Sequence, residues 1–169
     1  MPFERASQTK SAAPGAAPRC KVKLGVVSDA RRNKASIGAA NSLIYPEEAP
    51  NWYASTPSGD VKKWLRDGLE TLPVLWAEQG EVNVDVAILM AQVWRSYRIN
   101  SHVALQATFE TPQGPVTRRY QGFGTKTNWV GGNQAIMSMM NAGLTDALDA
   151  LAVDISAACS GLALTPAPE

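Results

Sequence analysis

The sequence predicts an α+β fold: a two-layer sandwich in which a four-stranded, mainly antiparallel sheet carries two helices on one face. Four stretches alternate apolar with polar residues, as half-buried strands do, and two repeat apolar residues at helical spacing. Their order along the chain is β-α-β-β-β-α. Because each element has one apolar side, stacking both helices on the sheet would bury them together.

The first strand is predicted over Lys21–Ser28, where Val22, Leu24 and Val26 alternate with lysine or glycine. Residues 29–59 contain prolines and glycines but little periodicity, which indicates a long surface loop of a kind that is often functional. The first helix is predicted to begin after an N-cap at Asp60 and to be ended or kinked by Pro73. Its apolar side consists of Val61, Trp64, Leu65, Leu69 and Leu72.

The remaining strands are predicted to form an antiparallel meander that leads into the second helix. They cover Val82–Tyr97, Ile99–Glu110 and Val116–Thr125, with turn residues between the last two. The second helix is predicted from a cap at Asn133 to about Cys159, because apolar residues recur there every three or four positions. The sheet face without helices is expected to carry Gln92, Trp94, Arg118 and Tyr120.

Length and composition indicate a single folded domain. The chain has 169 residues, 45% hydrophobic and 18% charged, which is typical of a chain that folds. We expect a flexible leader over residues 1–20, one domain over residues 21–160 and a disordered tail over residues 161–169. The leader lacks the apolar centre of a signal peptide. The net charge of +1 argues against a nucleic-acid partner, and no apolar stretch is long enough to span a bilayer.

No residue pattern predicts catalysis. The single histidine, His102, has no cluster of carboxylates or thiols around it in the sequence. Acid-base catalysis and metal binding both need such neighbours, so we expect a surface histidine, no metal site and no cofactor.

The two cysteines, Cys20 and Cys159, lie at opposite ends of the predicted domain. They could close a large loop as a disulfide, which would imply an oxidising compartment. They could also be two independent small apolar residues. The sequence leaves both readings open.

Candidate binding residues occur in the long loop and on the open sheet face. Asp29 and Arg31 follow the first strand and either bind an anionic group or hold the loop, with loop anchoring favoured. Aromatic side chains contribute strongly to protein interfaces, so the further candidates are Trp52, Tyr53, Trp94, Tyr120 and Trp129. Trp52 could equally pin its own loop to the domain.

Several short segments make the chain resemble the YajG-like family of bacterial envelope lipoproteins, over Val22 to about Ala157. They are Val27-Ser28-Asp29-Ala30-Arg31 followed by Ile37-Gly38, then Tyr97-Arg98-Ile99-Asn100, and the aromatic strand and helix from Tyr120, with Asn141 to Asp146 in the helix. The resemblance implies an envelope location and an outer-membrane lipid anchor on an N-terminal cysteine. Cys20 follows Ala17, Pro18 and Arg19, which do not resemble a lipobox.

These observations predict a non-enzymatic periplasmic accessory or binding module of the cell envelope that acts through protein-protein contacts. The alternative is a carrier of an apolar or envelope-derived ligand in a cleft between helices and sheet, which Met137, Met139 and Met140 would suit unless they only fill the core. An open edge strand makes a homodimer a further expectation. Membrane contact is expected only through a native lipid anchor absent from this chain.

Overall fold

The computed structural model describes residues 3–5, 20–32, 34, 39–40, 51–52, 61–95, 98–111, 114–127, 133–162 and 164. In these residues the helices are α1 (Val61–Glu70) and α2 (Asn133–Cys159). The strands are β1 (Lys21–Asp29), β2 (Ala39–Ala40), β3 (Asn51–Trp52), β4 (Leu75–Trp76), β5 (Val82–Arg95), β6 (Arg98–Thr111) and β7 (Gly114–Thr127). The predicted loop therefore contains the short paired strands β2 and β3. The predicted N-cap Asp60 lies outside the described residues.

The main sheet has five described strands in the order β4-β1-β5-β6-β7, so the prediction of four mainly antiparallel strands is wrong in two respects. β1 runs parallel to both β4 and β5, whereas β5, β6 and β7 form the predicted meander. The direction of β1 follows from α1, because a helix between two neighbouring strands carries the chain back to the end where it started. β4 was missed because two residues show no alternation.

Both helices pack on one face of the sheet and share one hydrophobic core. α2 contacts β5, β6 and β7, and α1 contacts β1 and α2. Trp64 of α1 lies fully inside, and its indole nitrogen donates a hydrogen bond to the Asn141 side chain of α2 at 2.8 Å. A buried indole needs such an acceptor, so this bond fixes how the two helices face each other.

The backbones of α2 and β7 are in direct contact because glycines lie at the crossing. A Cβ atom on Gly122 of β7 would overlap the carbonyl oxygen of Gly143 and the amide nitrogen of Ala147 in α2. Gly124, the next residue on the same side of β7, is also in close contact with the Met139 carbonyl oxygen and the Ser101 hydroxyl. Side chains at these glycines would push the helix away from the strand.

A β-bulge decides which face the end of β5 presents. Val86 and Ile88 point to the core, but the register with β6 shifts between Ile88 and Met90. After the shift Val93 is buried, so its neighbour Trp94 points to the open face. Strict alternation from Ile88 would have turned Trp94 inward.

Cys20 and Cys159 form a disulfide, which settles the choice that the sequence left open. The bond joins the residue before β1 to the last residue of α2, with a Cα–Cα distance of 5.5 Å and a sequence separation of 139. Constraining so large a loop in the unfolded chain contributes about 5 kcal/mol in the chain-entropy model, and measured values are typically about 2 to 4 kcal/mol.

Residues 3–5, within the predicted leader, lie against the two helices. Phe3 is half-buried and packs against the hydrophobic core. Arg5 forms an ion pair with Asp149 of α2 and donates hydrogen bonds to Thr71, just after α1. Burial raises the pKa of Asp149, and the nearby Asp146 adds to the rise, while the charge of Arg5 offsets part of it.

The glycine contact between α2 and β7 predicts the cost of adding one methyl group. Gly122→Ala should lower the free energy of unfolding by about 3 kcal/mol. The added methyl group would overlap backbone atoms of α2, and only a shift of the whole helix away from β7 could relieve the overlap. Gln121→Ala is the matched control, since Gln121 is exposed on the other face and should change stability by less than about 0.5 kcal/mol. Urea unfolding of both variants measures the difference, and equal midpoints would contradict the prediction.

Candidate binding face

The sheet face opposite the helices carries a cluster of six residues that we call the aromatic patch. One row across β5, β6 and β7 consists of Gln92, His102 and Phe123, and the next row consists of Trp94, Asn100 and Thr125. Cross-strand neighbours on one face lie about 5 Å apart, so the six side chains form one continuous surface. None of the six carries a formal charge when His102 is neutral.

Two large apolar side chains of the patch are open to solvent. Phe123 is 55% exposed and Trp94 is 39% exposed. The ring of His102 stacks on that of Phe123 with centroids 4.5 Å apart and an interplanar angle of 17°. Clustered aromatic exposure on a folded domain typically marks a binding surface.

Some polar side-chain atoms of the patch have a hydrogen-bond partner, and one does not. Thr125 donates from its hydroxyl to the Asn100 side-chain oxygen at 2.8 Å. Nε2 of His102 is buried and has no hydrogen-bond partner among the described residues. A buried polar atom left without a partner costs free energy, so a bound group that reached this nitrogen would gain stabilisation.

The other end of the open face is charged. Lys23, Asp85, Glu110 and Arg119 lie there, on the face that the helices leave uncovered. Asp85 has a structural task, because its carboxylate accepts the backbone N–H of Val26 at 2.7 Å where β1 bulges. The face is thus divided into a charged end and an aromatic end.

The expectation that Arg118 and Tyr120 lie on the open face is wrong. Tyr120 is paired in register with the core residue Leu105, is only 6% exposed, and donates from its hydroxyl to Asp154 of α2 at 2.6 Å. Arg118 forms an ion pair with the same carboxylate at 3.2 Å. Burial, together with the hydrogen bond to Asp154, raises the pKa of Tyr120. Tyr120 and Arg118 therefore connect β7 to α2 through Asp154 and are not available to a partner on the open face.

Asp29 and Arg31 form a compact ion pair at the end of β1. The guanidinium donates from Nε and from its terminal nitrogen to the two carboxylate oxygens of Asp29, at 2.9 and 2.8 Å. The Arg31 side chain is only 4% exposed and that of Asp29 is 12% exposed. Burial alone would raise the pKa of Asp29, but hydrogen bonds from Arg31 and the charges of Arg31 and Lys34 lower it overall. The geometry favours loop anchoring over recognition of an external anion.

The other predicted binding residues are only partly located. Trp52 belongs by its backbone to β3, and Tyr53 and Trp129 lie outside the described residues. Met139 and Met140 are buried in the core. In the described part of the chain no group of three or more His, Cys, Asp or Glu side chains could hold a metal ion. No described helix is long and apolar enough to cross a bilayer.

Sequence reasoning missed Phe123 and the binding potential of His102. The signal for Phe123 was present, because a large aromatic residue stands between Gly122 and Gly124. Glycines at alternate positions leave room for a covering helix, which places the residue between them on the opposite face. Nothing in the local sequence of His102 shows that it stacks on Phe123, since the pairing depends on the register of β6 with β7.

No protein-family model matches the sequence, and no curated protein matches it either. The fold is similar to the crystal structure of protein XCC0632 from Xanthomonas campestris, of family DUF330, with a TM-score of 0.56 and 12% identity over 84% of this chain and 87% of that one. A second solved structure, of an uncharacterised protein, has a TM-score of 0.49 and 12% identity over 79% of this chain and 91% of that chain.

At 12% identity the likeness to the Xanthomonas protein shows a shared fold alone. The α+β sandwich described above is therefore a fold that also occurs in a bacterial protein of that family. Neither structure is named as a member of the YajG-like family.

The ion pair at the end of β1 predicts a specific loss of stability. Arg31→Ala should lower the free energy of unfolding by about 3 kcal/mol, because it leaves the largely buried Asp29 carboxylate uncompensated. Arg32→Ala is the matched control, since the neighbouring Arg32 is exposed and has the same charge. Denaturant unfolding near neutral pH measures both, and equal losses would contradict the prediction.

Acid titration of the same variants tests the lowered pKa of Asp29. The pKa of Asp29 is lower in the folded protein than its value of 3.8 in the unfolded chain, so ionised Asp29 stabilises the fold at pH values above 3.8. This stabilisation is lost as the pH falls through the folded-state pKa. The wild-type protein and Arg32→Ala should show this loss below about pH 4, whereas Arg31→Ala should have already lost it at neutral pH.

Proposed function

We propose that this protein is a non-enzymatic binding module of the bacterial cell envelope that resembles the YajG-like lipoproteins and acts through protein-protein contacts. The aromatic patch is its main contact surface. The observation that carries the proposal is the exposure of Trp94 on β5 and Phe123 on β7, on the same sheet face opposite the helices and separated by β6.

The composition of the patch supports a protein partner. Interface centres are depleted in charge and enriched in aromatic residues, and a few aromatic side chains supply most of the binding energy. Trp94 and Phe123 provide that apolar surface, while Gln92, Asn100 and Thr125 provide hydrogen-bonding groups around it. The sheet beneath is continuous, since β5, β6 and β7 are paired along nearly their whole length.

A periplasmic location is part of the proposal. The disulfide between Cys20 and Cys159 supports it, because disulfides persist in oxidising compartments such as the bacterial periplasm. The resemblance to the YajG-like family supports it independently and adds an outer-membrane lipid anchor in the native precursor. Alkylation of free thiols in intact cells, followed by mass spectrometry, distinguishes the paired from the reduced state.

Self-association through β7 is a further part of the proposal. β7 is a 14-residue strand at one edge of the sheet. Asp146 of α2 accepts its Phe123 N–H at 3.0 Å, which shows that this N–H points away from β6. Backbone donors alternate in direction along a strand, so those of Gln121 and Arg119 point outward as well. An edge of this kind is a template for a second strand.

Site-specific crosslinking tests the role of the aromatic patch. The photoreactive residue p-benzoylphenylalanine replaces Phe123 in one variant and Val153 in another, since Val153 is an exposed apolar residue on α2. Irradiation of cells of the native host should give discrete protein adducts from position 123 and none of the same mass from position 153. Adding Trp94→Ser to the first variant should reduce the adduct yield about tenfold. Identical adducts from both positions would refute the role of the patch.

A proline on the outer edge of β7 tests self-association. Arg119→Pro removes an outward N–H without removing a bond to β6, so it should convert dimers to monomers while the melting temperature changes little. Arg119→Ala keeps the N–H and serves as the control. Light scattering over a concentration series measures the mass, and a wild-type protein that is monomeric throughout would contradict the proposal.

A further inference from the structure

Residues 3–5 of the chain occupy a groove between α1 and α2, which we call the helix groove. At its base Gly68 of α1 faces Leu144 and Leu148 of α2, and a Cβ atom on Gly68 would overlap Leu148. The same Cβ position lies 3.6 Å from the Phe3 ring, which packs against the core. Phe3 therefore lies where the glycine lets the two helices approach each other closely.

Arg5 is bound by acceptors from both sides of the helix groove. One terminal nitrogen of its guanidinium donates to the Thr71 carbonyl at 3.2 Å and to the Thr71 hydroxyl at 3.3 Å. The other terminal nitrogen donates to the Asp149 carboxylate of α2. Thr71 directly follows α1, and the carbonyl groups at the end of a helix carry partial negative charge, so they favour a cation.

This arrangement selects arginine. Two nitrogens of one planar guanidinium reach two different partners, Thr71 and Asp149, whereas a lysine ammonium presents a single nitrogen. Charge adds to the selection. Burial and the nearby Asp146 raise the pKa of Asp149, and the positive charge of Arg5 offsets part of that rise. The helix groove thus matches an aromatic ring and a guanidinium two residues apart.

The connection between Arg5 and Cys20 does not by itself hold the segment in the groove. Fourteen residues, 6–19, join the two, and a chain of that length spans up to about 45 Å when extended. Asp149 precedes Cys159 in α2 by a distance of about 15 Å along the helix, and Cys159 is bonded to Cys20. The position of the segment therefore depends on its own side-chain contacts.

These contacts are of a kind that exchanges without unfolding the domain. Residues 3–5 belong to no helix or strand, and Phe3 is only half-buried. The side chains of Arg5 and Asp149 are 37% and 42% exposed, and ion pairs at such exposure are weak and screened by salt. A free segment with the same side chains competes for the groove, and the attached segment holds an advantage set by its effective concentration.

We propose that the helix groove is a peptide-binding site for a segment in which arginine follows an aromatic residue by two positions, with residues 3–5 as its built-in, displaceable ligand. A partner protein that presents such a segment takes the groove when residues 3–5 leave it. The helix groove and the aromatic patch lie on opposite sides of the sheet, so this site goes beyond the proposed contact surface and does not depend on it.

Fluorescence anisotropy of a labelled peptide with the sequence of residues 1–8 tests the site on the full chain. Phe3→Ala removes the chain's own anchor, so this variant should bind the peptide at least about tenfold more tightly than the wild-type protein, in which the attached segment competes at about millimolar effective concentration. Glu4→Ala, at the exposed middle residue, should bind as weakly as the wild type. Equal binding to Phe3→Ala and wild type, or no binding to Phe3→Ala, would overturn the proposal.

Peptide variants test the recognition of arginine. On the Phe3→Ala protein, peptides carrying Arg5→Ala or Arg5→Lys should each bind at least about fivefold more weakly than the native peptide. Adding Asp149→Asn to the protein should remove most of the difference between the native and Arg5→Ala peptides, as a double-mutant cycle requires. Adding Glu110→Gln, on the helix-free face, should preserve it. A difference that survives Asp149→Asn unchanged would place the peptide elsewhere and overturn the proposal.

A second copy of the chain is the competing occupant of the helix groove. Light scattering of the wild-type and Phe3→Ala proteins separates the two arrangements. A dimer that is lost on Phe3→Ala but retained on Arg119→Pro would show that Phe3 of one copy occupies the groove of another, and would overturn the proposal that each chain binds its own segment. An unchanged mass on Phe3→Ala is expected.

Discussion

The backbone contact between α2 and β7 is the constraint on which the rest of this structure depends. Gly122 and Gly143 let the helix lie directly on the strand, and only at that distance can Asp154 reach Tyr120 and Asp146 reach the Phe123 N–H. Helix α2 therefore closes the core and holds the edge strand β7 in place. The same contact leaves Phe123 on the face of the sheet opposite the helix. Moving α2 outward by the width of a methyl group would loosen all three together.

The sequence predicted the elements better than their arrangement. Helix α2 begins and ends where the sequence predicted, at Asn133 and Cys159, because apolar residues that recur at helical spacing over many turns are a strong local signal. The parallel pairing of β1 was missed, although a helix between β1 and β5 favours it. Tyr120 was placed on the wrong face because its orientation depends on the register with β6, which is a property of two strands and not of one.

The candidate site depends on the same non-local features. Trp94 faces outward because of the bulge after Ile88, and the stacking of His102 on Phe123 requires the cross-strand register. Composition could identify aromatic candidates but could not group them. Trp94 lies on the open face as predicted, whereas Tyr120 is buried against α2 and Phe123 occupies the open face of β7. The contact between His102 and Phe123 became visible only in three dimensions.

The disulfide has a mechanical consequence when the domain is pulled through the residues before Cys20. A force applied to the residues before Cys20 would, without the bond, peel β1 out of the sheet one hydrogen bond at a time. With Cys20 joined to Cys159, the load passes through sulfur into the end of α2, which packs along the meander over many turns. Unfolding from that side would then have to detach the end of α2 from the meander as well as β1 from the sheet.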